Sequence, residues 1–301
     1  MKNKFCNITA KILMSSVILS SGVVMASEFN ADAKTTTTTK VATKKFTPKY
    51  STKTVYKKKY PKSYAKLEKA MINHSGKATL VQSEFKKLSL QKELEELYEI
   101  TDEISYNNPT KFVDSSGMLP VIKTYKLYST GEVEFKYNFS KSISTKYTTA
   151  VNKKVATVAN KIAKPSDSDY KKVKAVHDYV VKTMSYDYSI QKNKEPLTSH
   201  LAYGGLILNK GVCDSYAKSV QYLLNYMGVE AGLVIGEAGG VSHGWNYVKI
   251  DGKYYYLDAT WNDTGKTKSF FLSNTTKLAK THKWVKKDYT KATSNKYNNK
   301  Y

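Results

Sequence analysis

Apolar residues recur at helical spacing in four segments of the chain. Within each segment they lie three or four residues apart, which places them on one face of an α-helix. Helix-stopping residues agree with this pattern, because Asn107-Asn108-Pro109 follows the first segment and Pro165 follows the second. The predicted inward positions are Leu90, Leu94, Leu97, Thr101 and Ile104; Val151, Val155, Val158 and Ile162; Val173, Val176, Val180 and Met184; and Cys213, Ala217, Val220, Leu224 and Met227.

Two pairs of segments have the character of β-strands. Residues 119–128 and 132–139 flank a turn that contains Gly131, and the second of them alternates strictly between apolar and polar residues. Residues 242–248 and 254–261 flank Asp251-Gly252, a dipeptide typical of a two-residue hairpin turn. The sequence therefore predicts two antiparallel hairpins in addition to the helices.

Residues 1–26 have the composition of a secretory signal peptide. Lys2 and Lys4 precede a mostly apolar run, residues 12–24, and small residues follow it, so cleavage is expected near residue 26 or at residue 33. The apolar run is shorter than the ~20 residues that span a bilayer. We expect a secreted, extracellular protein without a transmembrane anchor, with association to the cell wall as a further expectation. Cleavage leaves Cys213 as the single cysteine.

The composition of residues 27–62 predicts a disordered, solvated tail. Between residues 34 and 62 there are ten lysines and no acidic residue, and residues 35–39 are all threonine. Two interpretations stay open, a soluble spacer and a segment that adheres to an anionic cell-wall polymer or membrane surface.

The net charge of +24 limits the partners that this chain is expected to bind. All 49 basic residues are lysine, so the guanidinium fork that reads guanine edges and clamps phosphates is absent. We therefore expect no specific nucleic-acid binding, although lysine still attracts polyanions in general.

Two residues with reactive side chains, Cys213 and His177, lie on predicted helices. Cys213 follows Gly211-Val212 at a helix start, where unpaired backbone N–H groups favour an anion. A thiolate is the attacking species in cysteine catalysis, whereas a small buried core residue is the alternative interpretation. His177 lies beside the apolar stripe of its helix, and we expect a core histidine with satisfied hydrogen bonds rather than a catalytic one.

The Asp251-Gly252 hairpin is expected to bring a histidine and a carboxylate together. With a two-residue turn, Asp258 lies opposite Trp245, so His243 and Asp258 share one face of the hairpin, one diagonal step apart. A carboxylate in that place holds one ring nitrogen of the histidine and orients the other toward a thiol. The sequence thus predicts a Cys213–His243–Asp258 constellation.

Three motifs carry a resemblance to a known family. They are GVCDSYA at 211–217, SHGWNYV at 242–248 and YYLDATW at 255–261. These motifs resemble those of the bacterial, secreted transglutaminase-like superfamily. Flanking segments that also resemble it lie at 176–179, 185–188, 270–272 and 282–284. The resemblance covers residues 165–290 and implies a cysteine-protease-like α+β fold, in which the nucleophile helix packs on an antiparallel sheet.

The resemblance also implies a role for each site residue. Cys213 is the nucleophile, His243 the general base and acid, and Asp258 the residue that orients the histidine. The implied substrate is an amide of a protein or peptide, which forms a thioester with the cysteine. The backbone N–H of Cys213 is expected to bind the oxyanion, with Tyr203 as a candidate second donor. No metal or cofactor is expected. Asp214-Ser215 departs from the small residues of many relatives and is expected to affect the substrate entrance.

The expected order of domains is an N-terminal α/β region at 63–164, the transglutaminase-like domain at 165–290 and a short tail at 291–301.

Several alternatives for the function remain open at this point. Crosslinking of glutamine to lysine and hydrolysis of an amide or peptide bond are both compatible with the site, because either an amine or water can attack the thioester. Outside enzyme chemistry, the alternatives are a catalytically silent binding module and a lysine-driven nucleic-acid binder.

Overall fold

The computed structural model describes residues 45–50, 53–112, 121–286, 289–298 and 300–301. The helices in these ranges are α1 (Val55–Lys59), α2 (Pro61–Ile72), α3 (Leu90–Asn107), α4 (Lys141–Ile162), α5 (Asp169–Thr183), α6 (Ala202–Leu206), α7 (Cys213–Tyr226), α8 (Ala259–Thr264) and α9 (Thr275–Leu278). The strands are β1 (Lys77–Thr79), β2 (Ile122–Leu127), β3 (Glu132–Tyr137), β4 (Ser185–Tyr186), β5 (Lys210–Gly211), β6 (Ala231–Ala238), β7 (Val241–Ile250), β8 (Lys253–Leu257) and β9 (His282–Lys283). Short 3₁₀ turns lie at Gln82–Glu84, Tyr188–Lys192 and Leu197–His200.

The N-terminal part builds a core of its own. Strand β3 lies between β1 and β2 in an antiparallel sheet, and helices α2 and α3 pack with it. The predicted hairpin is confirmed, since Tyr125 pairs with Phe135 and Leu127 with Val133. The buried side chains of this core include Tyr60, Tyr64, Leu67, Phe85, Leu97, Ile100, Ile104, Val133 and Phe135. Strand β1 was not predicted, because three residues are too few to show a period.

The second part places α7 against a four-stranded antiparallel sheet in the order β8-β7-β6-β9. Helices α4, α5 and α6 surround α7 on its other sides. The predicted α+β fold, with a nucleophile helix on an antiparallel sheet, is confirmed. The predicted helices are present as α3, α4, α5 and α7, and serine side chains cap three of them, namely Ser89, Ser140 and Ser168.

Helix α7 is buried almost all round, which differs from the single inward stripe that the sequence predicts. Every residue from Cys213 to Asn225 is buried. The polar side chains on this helix therefore need partners inside the protein. The Tyr216 hydroxyl donates to Asp263 at 2.6 Å, and the Ser215 hydroxyl donates to the carbonyl of Leu201 at 2.6 Å. A polar face on this helix thus indicates buried hydrogen bonds rather than contact with solvent.

The hairpin between β7 and β8 has the predicted turn and register. Asp251 and Gly252 have φ values of 50° and 74°, as a tight type I′ turn requires. The pairs run from Ile250–Lys253 to Asn246–Leu257. Because residue numbers on the two strands stay in the predicted relation throughout, this prediction is confirmed.

The ladder ends before Asp258, which the sequence places inside the strand. Asp258 leaves the sheet and becomes the N-cap of α8, where its Oδ1 accepts from the backbone N–H of Trp261 at 3.0 Å. Its own N–H donates to the carbonyl of Phe270 at 3.1 Å. The predicted cross-strand pair with Trp245 is therefore wrong, because the cap and the Phe270 bond take the place of further strand pairing.

The chain before residue 63 also differs from the predicted tail. Residues 53–62 contain α1 and the start of α2, and Tyr60 is buried with its ring stacked on Phe85 at 4.4 Å. The backbone N–H groups of Tyr56 and Lys57 both donate to the Glu103 carboxylate at 2.9 Å. The acidic residues of α3 thus give this lysine-rich segment the partners that its own sequence lacks.

The predicted signal peptide and the threonine run lie outside the described residues. Within the part of the chain that is described, no helix is both long and apolar enough to cross a membrane.

Asn246 on β7 links the sheet to α7 through hydrogen bonds. Its side-chain amide donates to the carbonyl of Ala217 at 2.9 Å and to that of Gly232 at 3.2 Å. We expect Asn246→Ala to lower the free energy of unfolding by about 1–3 kcal/mol, because it removes two buried hydrogen bonds. Denaturant unfolding measures this loss. Asn160→Ala is the matched control, since that amide also donates to a carbonyl but lies on the exposed face of α4. Equal effects of the two substitutions would contradict the assigned role of Asn246.

Candidate active site

The structure brings the three predicted site residues together from three elements. Cys213 is the first residue of α7, His243 lies on β7, and Asp258 follows β8. All three are buried, with only 3% of Cys213 and 4% of His243 exposed. Because Cys213 opens the helix, its backbone N–H has no acceptor within the helix, and the helix dipole favours negative charge there.

His243 connects the thiol to the carboxylate. Its Nε2 lies 2.8 Å from Oδ2 of Asp258, and the Cys213 thiol lies near enough to the same imidazole to raise its pKa. Since Nε2 is held by the carboxylate, Nδ1 is the nitrogen that serves the thiol. This is the orientation that the sequence predicts for the constellation.

The charges of His243 and Asp258 stabilise each other. Burial lowers the pKa of His243, but the Asp258 charge and hydrogen bond, together with Cys213, outweigh burial and raise that pKa above its ordinary value. Burial raises the pKa of Asp258, but His243, His282 and the Trp261 N–H lower it below its usual range. The site therefore favours an imidazolium beside a carboxylate.

His282 is a site residue that the sequence did not identify. It is buried on β9, and its Nε2 lies 3.1 Å from Oδ2 of Asp258, the same oxygen that His243 contacts. Strand β9 reaches this place by pairing with β6, where His282 lies opposite Ala238. The sequence marks residues 282–284 only as a flanking segment, because a two-residue strand has no pattern that shows its partner.

The Ser-Tyr-Asp-Tyr segment at 185–188 holds the chain that leads into Cys213. Strands β4 and β5 pair in parallel, with Tyr186 opposite Gly211. Asp187 accepts from the hydroxyl of Ser199 at 2.6 Å and lies 3.1 Å from Nζ of Lys210. Burial acts against its ionised form, but hydrogen bonds from Ser199, Ser189 and Lys210 hold the pKa of Asp187 well below its usual range.

Tyr186 lies within the electrostatic reach of Cys213. Burial, followed by the charge of Cys213, raises the pKa of Tyr186 to about 12. The hydroxyl therefore stays protonated at neutral pH and remains a hydrogen-bond donor. The sequence placed this tyrosine only in a flanking segment.

Asp214 and Ser215 are buried, and their effect on the substrate entrance stays a prediction. The Asp214 side chain has no exposed area, and its Oδ2 lies 4.0 Å from Nζ of the equally buried Lys218 and 4.0 Å from Nδ1 of His200. A Cβ on Gly244 would come within 3.3 Å of its Oδ1. The absence of a side chain at Gly244 leaves room for this carboxylate behind the start of α7.

The two remaining candidates, His177 and Tyr203, contact other residues of the fold. His177 is a buried core histidine, as predicted, with Nε2 bonded to the Asn262 amide at 2.9 Å. Tyr203 stacks on Tyr147 of α4 with ring centroids 4.0 Å apart. Its role as an oxyanion donor stays a prediction.

The two site histidines and Asp258 also form a donor set of the kind that binds metal ions. One nitrogen of His243, one of His282 and one oxygen of Asp258 lie within 4.8 Å of one another. Two histidines and a carboxylate suit zinc or another transition metal. In this structure, however, both nitrogens point their hydrogen bonds at the Asp258 oxygen. Hydrogen bonding thus already accounts for this arrangement.

A cysteine at a helix start, a histidine on the adjoining sheet and a buried carboxylate define a cysteine-protease-like α+β domain. Residues 156–259 match the family model described as the transglutaminase-like superfamily. The predicted resemblance is confirmed. The matched range contains Cys213, His243 and Asp258 and ends before His282. No curated protein gives a significant match.

Solved structures with a similar fold include a TGase, with 19% identity and a TM-score of 0.34 over 46% of this chain and 44% of the other. A candidate cysteine protease from Cytophaga hutchinsonii has 15% identity and a TM-score of 0.31, over 46% of this chain and 61% of the other. A candidate protease from Parabacteroides distasonis has 14% identity and a TM-score of 0.26, over 44% and 35%. The chain spans less than two thirds of each of these proteins.

The raised pKa of His243 makes a prediction about stability and pH. A group whose folded-state pKa exceeds its unfolded value of 6.5 contributes stability below pH 6.5, and this contribution is lost as pH rises through the folded-state value. The difference in unfolding free energy between the wild type and His243→Gln should therefore be constant below pH 6.5 and shrink at higher pH. Chemical unfolding at a series of pH values measures it.

His74 provides a control of opposite sign. Burial lowers the pKa of His74. The hydrogen bond to the Phe139 carbonyl raises it by less, and the charge of Lys141 lowers it further. The wild type should therefore gain stability relative to His74→Gln as pH rises toward 6.5. Parallel pH curves for the wild type and His243→Gln would contradict the assigned ion pair.

Proposed function

We propose that this protein is a cysteine-dependent acyl-transfer enzyme that acts on amide bonds, with Cys213 as nucleophile, His243 as general base and acid, and Asp258 as the residue that orients the histidine. The observation that carries the proposal is the grouping of three buried groups. A thiol at a helix start lies beside an imidazole that is hydrogen-bonded to a buried carboxylate. Nucleophilic catalysis by cysteine needs a thiolate, and the imidazolium partner together with the helix start favours that form.

The proposed reaction proceeds in two steps. The Cys213 sulfur attacks the amide carbonyl carbon, and the carbon–nitrogen bond breaks after His243 passes its Nδ1 proton to the leaving amine. This gives a thioester and a free amine. In the second step His243 accepts a proton from the incoming nucleophile, which attacks the thioester and releases the thiol.

The helix start also supports the oxyanion of each step. The backbone N–H of Cys213 is directed out of the first turn of α7, and such a donor stabilises negative charge that develops on the carbonyl oxygen. A fixed donor inside a buried site needs no reorganisation during the reaction. This role is consistent with the 3% exposure of Cys213.

The nucleophile of the second step decides between two activities. Water yields a carboxylic acid and makes the enzyme an amidase or peptidase, whereas a lysine amine yields a new amide crosslink. Both activities use the same residues, and we propose a protein or peptide amide as the substrate in either case.

We further propose that the protein is secreted and associates with anionic polymer of the cell envelope. The signal-like residues 1–26 support secretion, and the lysines after them support binding to a polyanion. Since residues 53–62 belong to the fold, the lysines that remain available for this role are those that precede it.

The reactivity of Cys213 tests the proposed chemistry. Iodoacetamide at pH 6 should alkylate Cys213 roughly ten- to a hundredfold faster than a model thiol, because a thiolate paired with an imidazolium persists where a free thiol is protonated. His243→Ala should remove this excess. His177→Ala is the matched control, because it deletes another buried histidine that does not contact Cys213. A wild-type rate equal to that of the model thiol would favour the silent binding module.

Charge removal tests the proposed surface association. Replacing Lys34, Lys40 and Lys44 with glutamine should weaken retention on anionic cell-wall material, and retention should fall between low and physiological salt, where the screening length shortens to about 8 Å. A pull-down assay at several salt concentrations measures both effects.

The matched control removes the same charge elsewhere. Lys141, Lys146 and Lys153 are exposed on α4, and their replacement with glutamine should leave most of the retention in place. Equal losses in the two triple variants would mean that net charge alone causes retention.

Mass spectrometry of the exported protein should find its N-terminus just after residue 26 or residue 33, and an intact N-terminus would contradict secretion by signal cleavage.

A further inference from the structure

Asp258 is held at both of its carboxylate oxygens. Oδ1 accepts from the Trp261 N–H at 3.0 Å, while Oδ2 accepts from His243 at 2.8 Å and from His282 at 3.1 Å. The side chain is completely buried, so no solvent contact competes with these donors. Oδ2, the oxygen that orients His243, is thus shared by two imidazoles.

His282 is itself fixed in orientation. Its Nδ1 lies 2.8 Å from the hydroxyl of Thr281, and its side chain has no exposed area. Aromatic rings surround the imidazole, with centroids at 4.7 Å for Trp261, 4.8 Å for Trp245 and 5.6 Å for Phe270. Rotation of the ring would break the Thr281 bond and collide with this enclosure. These contacts hold Nε2 toward Asp258.

We propose that His282 is a positioning residue for the Cys213–His243–Asp258 chain. It holds Oδ2 in place while the charge of His243 changes. The Asp258–His243 bond is strong when the imidazole is protonated and weaker once the proton has been passed on. A second donor on the same oxygen keeps the carboxylate aimed at Nε2 in both states. This inference rests on the proposed function, because it assigns His282 a part in that same reaction.

A purely structural role makes a different prediction. If His282 only fills the aromatic enclosure and anchors β9 to β6, replacing it would lower stability and leave the chemistry of the folded fraction unchanged. If it positions Asp258, the reactivity of Cys213 in the folded fraction changes, because a carboxylate that is free to turn stabilises the His243 imidazolium less well. Reactivity must therefore be measured on the folded protein.

Glutamine and asparagine at position 282 separate these readings. The side-chain amide of glutamine reaches about as far as Nε2 of histidine and can still donate to Asp258, whereas that of asparagine reaches only as far as Nδ1. Both replacements are neutral amides that disturb the enclosure in similar ways. Their difference therefore reports on the bond to Asp258 rather than on packing.

The experiment measures iodoacetamide alkylation of Cys213 from pH 4 to pH 9 in the wild type, H282Q, H282N and the control H177N, with circular dichroism to establish folding. We expect H282Q to keep the wild-type rate at pH 6 within about threefold. H282N should lose roughly ten- to a hundredfold, and the pH at which its rate falls to half should move up by about one unit. H177N should match the wild type.

The outcomes distinguish the two proposals. A wild-type rate equal to that of a model thiol would overturn the proposed function. A reactive wild type whose rate and pH midpoint are kept in H282N would overturn only the role of His282. If H282N does not fold, Thr281→Val provides the second test, because it removes the bond to Nδ1 and leaves the imidazole in place. A rate and midpoint equal to the wild type in that variant would also overturn the positioning role.

Discussion

The buried carboxylate of Asp258 is the constraint around which the site is built. Removing an ion of this kind from water costs on the order of several kcal/mol unless charged or dipolar partners replace the water. Here a helix N-terminus and two imidazoles supply those partners. The sheet, helix α8 and strand β9 must all meet at this point, so the same requirement that keeps Asp258 charged also fixes the orientation of His243.

Helix α7 shows how a fully buried element can carry a reactive group. Several of its groups are bonded to the surrounding protein, as in the Tyr216–Asp263 pair and the bond from Asn246 to the Ala217 carbonyl. Such bonds leave the helix little freedom to turn, because rotation would leave several buried polar groups unpaired. Asp187 then holds strand β5, which precedes Cys213, through its bonds with Ser199 and Lys210. The position of the Cys213 thiol is thus fixed by residues that take no part in the proposed chemistry.

The N-terminal part is joined to the site-bearing sheet by specific contacts. The hydroxyls of Tyr106 on α3 and Tyr247 on β7 lie 2.9 Å apart, and Tyr247 is on the same side of its strand as His243. The Tyr222 hydroxyl of α7 donates to the carbonyl of Phe112. These bonds connect two hydrophobic cores that are otherwise built from separate stretches of sequence.

The sequence by itself determined the features that depend on near neighbours. The helices, the Asp251-Gly252 turn and the register of the hairpin follow from local periods and one turn geometry, whereas the grouping of Cys213 with His243 and Asp258 was indicated by the three sequence motifs. The tertiary structure alone decided that Asp258 leaves its strand to cap α8, that α7 is buried on all sides, and that His282 reaches the carboxylate. These features depend on which distant segments pack together. That choice is made by the burial of whole surfaces and the pairing of buried polar groups, which no short stretch of sequence records.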